Sequence, residues 1–310
     1  MEIKNYKEEY KDMWDNHVRL SKNGTFLFYR DFVEYHGDRF DDHSLLFFEK
    51  DKLISALPGN IKDNIFYSHA GLTYGGFILS PSVRMAQTIT MFALLIDYLK
   101  KLGINQIIYK AIPHIYHKYP AEEDLYALFR FNAKLKARNI SSSILTNKKL
   151  PYSNLRERGI KKAKLNGLTV KESDDLRTFW EILENNLNKK YNTQPVHSLE
   201  EIGYLKNKFS GEIKLFTTID NKNDILAGSI IFETPTVAHI QYIAATKPGM
   251  EKGAIDILVD HIINSYQEKR FFDYGISTER EGTYLNENLI SQKEGFGARG
   301  TVYDIYSIDL

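Results

Sequence analysis

Over residues 224–300 the apolar positions fall into two rhythms, continuous strand-like runs and one helical stripe. DILAGSIIFE and TVAHIQYIAAT read as strands, KPGMEKGA as a tight turn, and Ala254–Gln267 as a helix with Ile255, Leu258, Ile262 and Tyr266 on one face. RFFDYGIS is a further strand. A polar segment, Thr278–Asn288, follows it, and then a helix ending in QKEGFGAR. A strand that passes through a glycine-containing turn into a helix is a place where backbone N–H groups bind phosphate, so this stretch is read as the seat of a phosphorylated donor.

The rest of the chain carries a faint copy of that order. Trp14, His17, Val18 and Leu20 give residues 1–23 a partial helical stripe, stopped at Asn23-Gly24. Phe26–Phe28 reads as a short strand, and Ser44–Phe48 with Leu53–Leu57 as a hairpin. Residues 65–79 read as a strand in which Gly71, Gly75 and Gly76 mark a bulge or a close approach of another group. Ser82–Leu102 is a serine-capped helix with Met85, Ile89, Phe92, Leu95, Leu99 and Leu102 on its apolar face. Gln106–Ala111 and Ser141–Thr146 are strands around a helix that opens on Glu122, Glu123 and Asp124. Leu168–Glu172 is a strand. Asp174–Lys190 is a helix with Ser173 as its cap, and Ser198 with Glu201 forms a capping box for another. Ile213–Ile219 opens the second sheet.

Ser82–Leu102 thus matches Ala254–Gln267, Gln106–Ala111 matches Arg270–Ile276, and Asp124–Phe131 matches Leu285–Glu294. Identity between the halves is low, so the repeat is one of architecture. The expected domains are 1–150 and 151–310. Leu150–Gly167 joins them and carries Arg156, Arg158, Lys161, Lys162 and Lys164 against Glu157 alone. It reads as a solvated helix face or as a basic rim for an anionic substrate.

Composition removes several function classes. Lys plus Arg (41) nearly balance Asp plus Glu (40), which argues against a whole-surface nucleic-acid binder. There is no cysteine, so disulfides, thiolate nucleophiles and zinc–thiolate sites are excluded. No run reaches the ~18 apolar residues of a membrane span, and the charged start lacks a signal core, which predicts a cytoplasmic protein. His114 and His117 with Glu122 and Glu123 match metal spacing only loosely, and Pro113 and Pro120 break the helix that would align them, so no metal is expected. P-loop, GxSxG and Rossmann fingerprints are absent.

Element order and lengths over 160–310 resemble the GNAT acyltransferase superfamily. Two such units, joined by RERGIKKAKLNGLTV and closed by LISQKEGFGAR, resemble the Fem-type peptidyltransferases and related GNAT-like acyltransferases across nearly the whole chain. The resemblance implies an α+β fold of two tandem GNAT-like domains, each a mostly antiparallel twisted sheet flanked by helices. It implies transfer of an acyl group to an amine on an activated sugar or cell-envelope precursor. The donor would be acyl-CoA or, in the Fem manner, aminoacyl-tRNA; a non-catalytic glycan- or peptide-binding role stays open as the rival.

By the same resemblance, Thr246, Gly249, Gly253, Ala254 and Lys293 are candidates for holding the donor. Gly249 and Gly253-Ala254 keep the glycines of the GNAT pyrophosphate loop at a stretched spacing, with Glu251 among them. An aminoacyl-tRNA donor tolerates that departure. The first-half loop, Gly75–Pro81, lies further from the pattern and is not read as a donor site.

Acyl transfer to an amine needs a base, a held carbonyl and a proton for the leaving group. His239 and Gln241 alternate on one strand and are read as sharing a face, His239 as base or as a hydrogen-bonded core histidine. Asp273 lies on the next strand as base or orienter. Tyr284 and Asn286 stand just past it, where a proton donor would sit. Lys293 is a candidate for neutralising a phosphate or an oxyanion. Ser68, His69, Thr73 and Tyr74 form the densest polar set of the first half and are candidates for the acceptor site.

Overall fold

The computed structural model describes residues 1–310, the side chains of Lys190 and Tyr191 excepted. The first elements are β1 (Glu2–Asn5), α1 (Lys11–Leu20), α2 (Arg30–Glu34), β2 (Leu45–Glu49), β3 (Lys52–Leu57), β4 (Asn60–Lys62), β5 (Ile65–Tyr67), β6 (Ile78–Leu79), α3 (Met85–Lys101), β7 (Gln106–Lys110), α4 (Glu123–Arg130) and β8 (Lys134–Leu145). Then come α5 (Asn154–Leu165), β9 (Thr169–Glu172), α6 (Leu176–Tyr191), α7 (Leu199–Lys208), β10 (Ile213–Ile219), β11 (Ile225–Glu233), β12 (Val237–Ala245), α8 (Lys247–Lys252), α9 (Ala254–Ser265) and β13 (Phe271–Ile276). The chain ends with β14 (Thr278–Glu279), β15 (Tyr284–Leu285), α10 (Glu287–Glu294) and β16 (Arg299–Asp309).

These elements form two compact units. One holds residues 1–140, 278–284 and 302–310; the other holds 141–277 and 285–301. In the first unit, β1, β2, β3 and β6 form an antiparallel sheet in that order. A second set runs β4, β5, β7 and the end of β16, with β5–β7 parallel and Ile305–Asp309 antiparallel to β7. The helical period of α3 turns Met91, Phe92, Leu95 and Leu99 inward against Phe47, Phe77, Ile107 and Tyr109.

In the second unit the order is the end of β8, then β13, β12, β11, β10 and β9. Every pair is antiparallel except β12–β13, which are joined through α9. Ala254, Leu258, Ile262 and Ile263 of α9 are buried with Ala227, Ile231, Ile240 and Phe272 of the strands. The α6 helix buries Phe179 and Trp180, and the Phe179 ring occupies the space a side chain at Gly228 would take. The architecture is the expected α+β one, with one parallel strand–helix–strand crossover in each unit.

Some local expectations give way. Phe26–Phe28 is a 3-10 turn rather than a strand, because three buried side chains and the Trp14 indole N–H on the Phe28 carbonyl (2.7 Å) fix it from the side. Residues 65–79 are not one strand. Only β5 and β6 are extended, and between them side chains take over the ladder's bonds: Asn60 accepts from Ala70 N, Asn23 donates to the Phe77 carbonyl, and Tyr109 Oη accepts from Phe77 N. The cap of α6 is Asp175, which accepts from Thr178 N at 3.1 Å, while Ser173 accepts from Asp175 N. The N-cap of α3 is Arg84, whose N–H bonds Gln87. The Ser198–Glu201 capping box forms as read. No helix among the described residues is long and apolar enough to cross a membrane.

The tight turn read at KPGMEKGA is instead the short helix α8, with Gly253 as a left-handed hinge (φ +84°) into α9. Thr246 caps α8, Pro248 sits in its first turn, and Gly253 ends it, each where helix-end chemistry favours it. A side chain at Gly253 would also overlap the Gly159 carbonyl of α5. Gly253→Ala is therefore expected to lower unfolding free energy by about 2–4 kcal/mol, from the left-handed strain plus overlap. Gly211→Ala, with open space around it, should stay within about 0.5 kcal/mol of wild type. Chemical denaturation of the two variants measures both.

Candidate active site

β12 and β13 pair only over Val237–His239 and Phe271–Asp273. Just beyond, each strand is bulged against its other neighbour. On β12 the register slips at Gln241, with Ile240 opposite Ile231 and Tyr242 opposite Ile230. On β13 it slips between Asp273 and Ile276, around Gly275 at φ +74°. A bulge bends its strand and increases its twist, so two of them side by side part the strands. The gap is a cleft of about 440 Å³ with apolar walls that include Ile240, Ile243, Val259 and Phe296. Arg156 and Lys293 also line it.

At the fork, His239 Nδ1 lies 2.7 Å from Asp273 Oδ2. Asp273 is fully buried. Its other oxygen accepts from Ser141 Oγ at 2.6 Å, and Oδ2 also accepts from its own strand's Gly275 N at 3.2 Å. Surrounded by donors, the Asp273 carboxylate accepts the Nδ1–H of the imidazole as a hydrogen bond. With Nδ1–H directed at Asp273, Nε2 is the nitrogen that carries the lone pair in a neutral imidazole, the form a general base requires.

Lys293, on α10, is buried with its ammonium on the Gly275 carbonyl (2.8 Å), the Ile276 carbonyl (2.9 Å) and Ser277 Oγ (2.8 Å). Burial pulls it down to about 8, with the Asp273 charge acting in the opposite direction. Three acceptors use all three N–H bonds, so this side chain offers the cleft a fixed positive charge rather than a donor. Arg156 Nη1 bonds Asp256 Oδ1 at 2.6 Å, and its guanidinium stands 5.5 Å from the Phe296 ring centre. Burial pushes the Asp256 carboxyl up, against the pull of Arg156.

Three N–H groups of the segment read as a donor loop are taken by the chain itself. Gly249 N donates to Thr246 Oγ1 (3.1 Å), Met250 N to the Thr246 carbonyl (2.9 Å) and Gly253 N to the Met250 carbonyl (3.3 Å). The Ala254 carbonyl accepts from Thr218. The N–H groups of Gly249, Met250 and Gly253 are thereby committed to the chain. Gly253 does line the cleft, beside Met250.

The other candidates are dispersed. Gln241 does not share a face with His239 in the simple way alternation implies, because it is the bulged residue. Asn286 caps α10 by accepting from Leu289 N at 3.1 Å. Tyr284 is exposed beneath the Arg280 guanidinium. In the first unit Ser68 is buried and accepts from Lys110 N at 2.8 Å. Burial drives His69, at left-handed φ, down to about 3. Tyr74 is buried against Tyr116 and Thr73 is exposed. Ser141 and Gly275 went unread: a serine in a strand and a glycine after Asp-Tyr carry no signal until the strands are paired.

No protein-family model matches the chain, and no curated protein matches it in sequence. Its structure is similar to that of FemX, with TM-score 0.70 at 12% identity over 100% of this chain and 98% of that one. It is also similar to L-PGS from Bacillus licheniformis, TM-score 0.64 at 11% identity over 97% and 91%. A tandem GNAT protein from the clavulanic acid biosynthesis pathway superposes with TM-score 0.52 at 10% identity over 99% and 98%. The fold is the tandem GNAT-like fold shared with the Fem-type proteins.

Lys293 gives a measurable stability signature. Its pKa is 10.5 when free and about 8 when folded, so between those values the unfolded chain holds more protons than the folded one. The buried ammonium opposes folding below about pH 8, and that cost fades as the pH rises towards 10.5. Relative to Lys293→Met, wild type should gain about 2 kcal/mol of unfolding free energy between pH 7 and 10. Denaturation curves at the two pH values check it; a constant difference would mean an ordinary lysine.

Proposed function

We propose that this chain is a transferase that moves an aminoacyl group from an ester-linked donor, aminoacyl-tRNA, to an amino group of a cell-envelope precursor. The observation that carries the choice of donor is the internal hydrogen bonding of residues 246–253. A pyrophosphate needs free backbone N–H groups at a helix start, and here the chain's own Thr246 and Met250 oxygens already take those of Gly249, Met250 and Gly253. An aminoacyl ester has no pyrophosphate to place. The similarity to FemX and to L-PGS supports the same reading.

In this reading the acceptor amine attacks the donor's ester carbonyl, a C–N bond forms and the ester C–O bond breaks. His239 Nε2 takes the proton the amine loses and returns it to the departing ribose oxygen. Asp273 keeps the imidazole in the right tautomer and stabilises it while it is charged. The Lys293 ammonium lowers the cost of negative charge developing at the carbonyl oxygen. The exposed Arg158, Lys161 and Lys162 of α5 are placed to attract an anionic polymer. A chain that only bound a glycan or peptide would have no use for a desolvated base–carboxylate pair beside a buried ammonium.

His239→Ala and Asp273→Asn should each lower transfer about 10²–10⁴-fold, and Asp273→Asn, which sets an amide among buried donors, should also lower the melting temperature. Calorimetric titration separates the donors. Charged tRNA should bind with an affinity that falls steeply with salt and falls again on charge reversal of Arg158, Lys161 and Lys162. Acetyl-CoA should give no heat. Micromolar acetyl-CoA binding would transfer the assignment to an acyl-CoA enzyme; absence of turnover with either donor, with a glycan bound, would make it a binding protein.

A further inference from the structure

We infer that Gly275 is a positioning residue of this site: it is the single backbone unit that holds His239, Asp273 and Lys293 in one arrangement. Its N–H donates to Asp273 Oδ2 at 3.2 Å, the oxygen that faces His239. Its carbonyl accepts from Lys293 Nζ at 2.8 Å. The face on which a side chain would stand lies 3.3 Å from His239 Cε1 and 3.8 Å from the Ile240 carbonyl. So one residue meets the base, its carboxylate partner and the fixed positive charge.

The left-handed φ of +74° makes these contacts simultaneous. In an ordinary strand, successive N–H groups point to opposite edges and Gly275 N could not fold back on the carboxylate two residues earlier. In the bulge it does, and the same turn lifts the carbonyl towards α10. Only a residue without Cβ takes this conformation at no steric cost and also leaves the imidazole its place. Ser141 meets the other Asp273 oxygen, so the carboxylate is fixed from two sides, while His239 is bounded by Asp273 on one side and by bare Gly275 backbone on another.

The roles of the three groups rest on the proposed transfer reaction, but the test reads their titration rather than turnover. Gly275→Ala is compared with Gly103→Ala. Gly103 has nearly the same φ (+75°) but open space around it, so both variants bear the left-handed penalty and only one meets His239. The His239 Cε1–H resonance is followed against pH by NMR. In Gly275→Ala the imidazole is pushed from Asp273 and its midpoint should fall by roughly half a pH unit or more; in Gly103→Ala it should stay put. An unchanged or raised midpoint in Gly275→Ala, or an equal fall in Gly103→Ala, overturns the assignment.

If Gly275→Ala does not fold, the wild-type Gly275 amide resonance decides. It should inflect at the His239 midpoint, and a flat curve overturns the assignment. A shifted midpoint in a protein that transfers nothing leaves Gly275 in place and removes the transferase reading. Transfer with an unmoved midpoint does the reverse.

Discussion

A carboxylate cut off from water must be surrounded by donors or it will not stay ionised. Asp273 is such a carboxylate, and the second unit is arranged around meeting its demand. β8 sends Ser141, β12 sends His239, and β13 turns back on itself to offer Gly275 N. The strand order places Asp273 between its partners; the bulge supplies the last donor. The cleft follows from the same requirement, since the backbone turn that satisfies the carboxylate carries β13 away from β12. Imidazole, buried ammonium and cleft therefore have a common cause.

Much of the frame was legible in the residues. The helical stripe of α9, the apolar runs of β11 and β12 and the Ser198–Glu201 box all form where periodicity and capping place them, because each depends on neighbours close in sequence. His239 and Asp273 stood out as polar groups in apolar strands. What stayed hidden depends on partners far away. Ser141 lies 132 residues from the carboxylate it serves, and Gln241 is displaced by a slip in cross-strand register that alternation along one strand cannot reveal. The 246–253 segment is a different case. Thr246, Pro248 and Gly253 spell a short helix by ordinary end-signals, which the glycine pattern of a phosphate loop had masked.

The polar set of the first unit sits in a different setting. Ser68, His69 and Tyr74 are buried in the irregular stretch between β5 and β6, where the backbone has left the sheet and side chains satisfy its groups. Lys110 does there what Lys293 does in the second unit: its ammonium holds two loop carbonyls, those of Ala70 and Leu72, and burial lowers it to about 8. A lysine used as a clasp for irregular backbone thus occurs in both units. Only in the second does it stand beside a carboxylate–imidazole pair.

The pairing of β7 with β16 has a consequence for how the molecule is made. Residues 106–110 find their antiparallel neighbours only at 305–309, some two hundred positions later. During synthesis that edge of the first unit must wait, exposed, while the whole of the second unit emerges from the ribosome. Such late long-range closure makes for slow folding, and it leaves an open strand edge to which a chaperone, or another nascent chain, has access in the meantime.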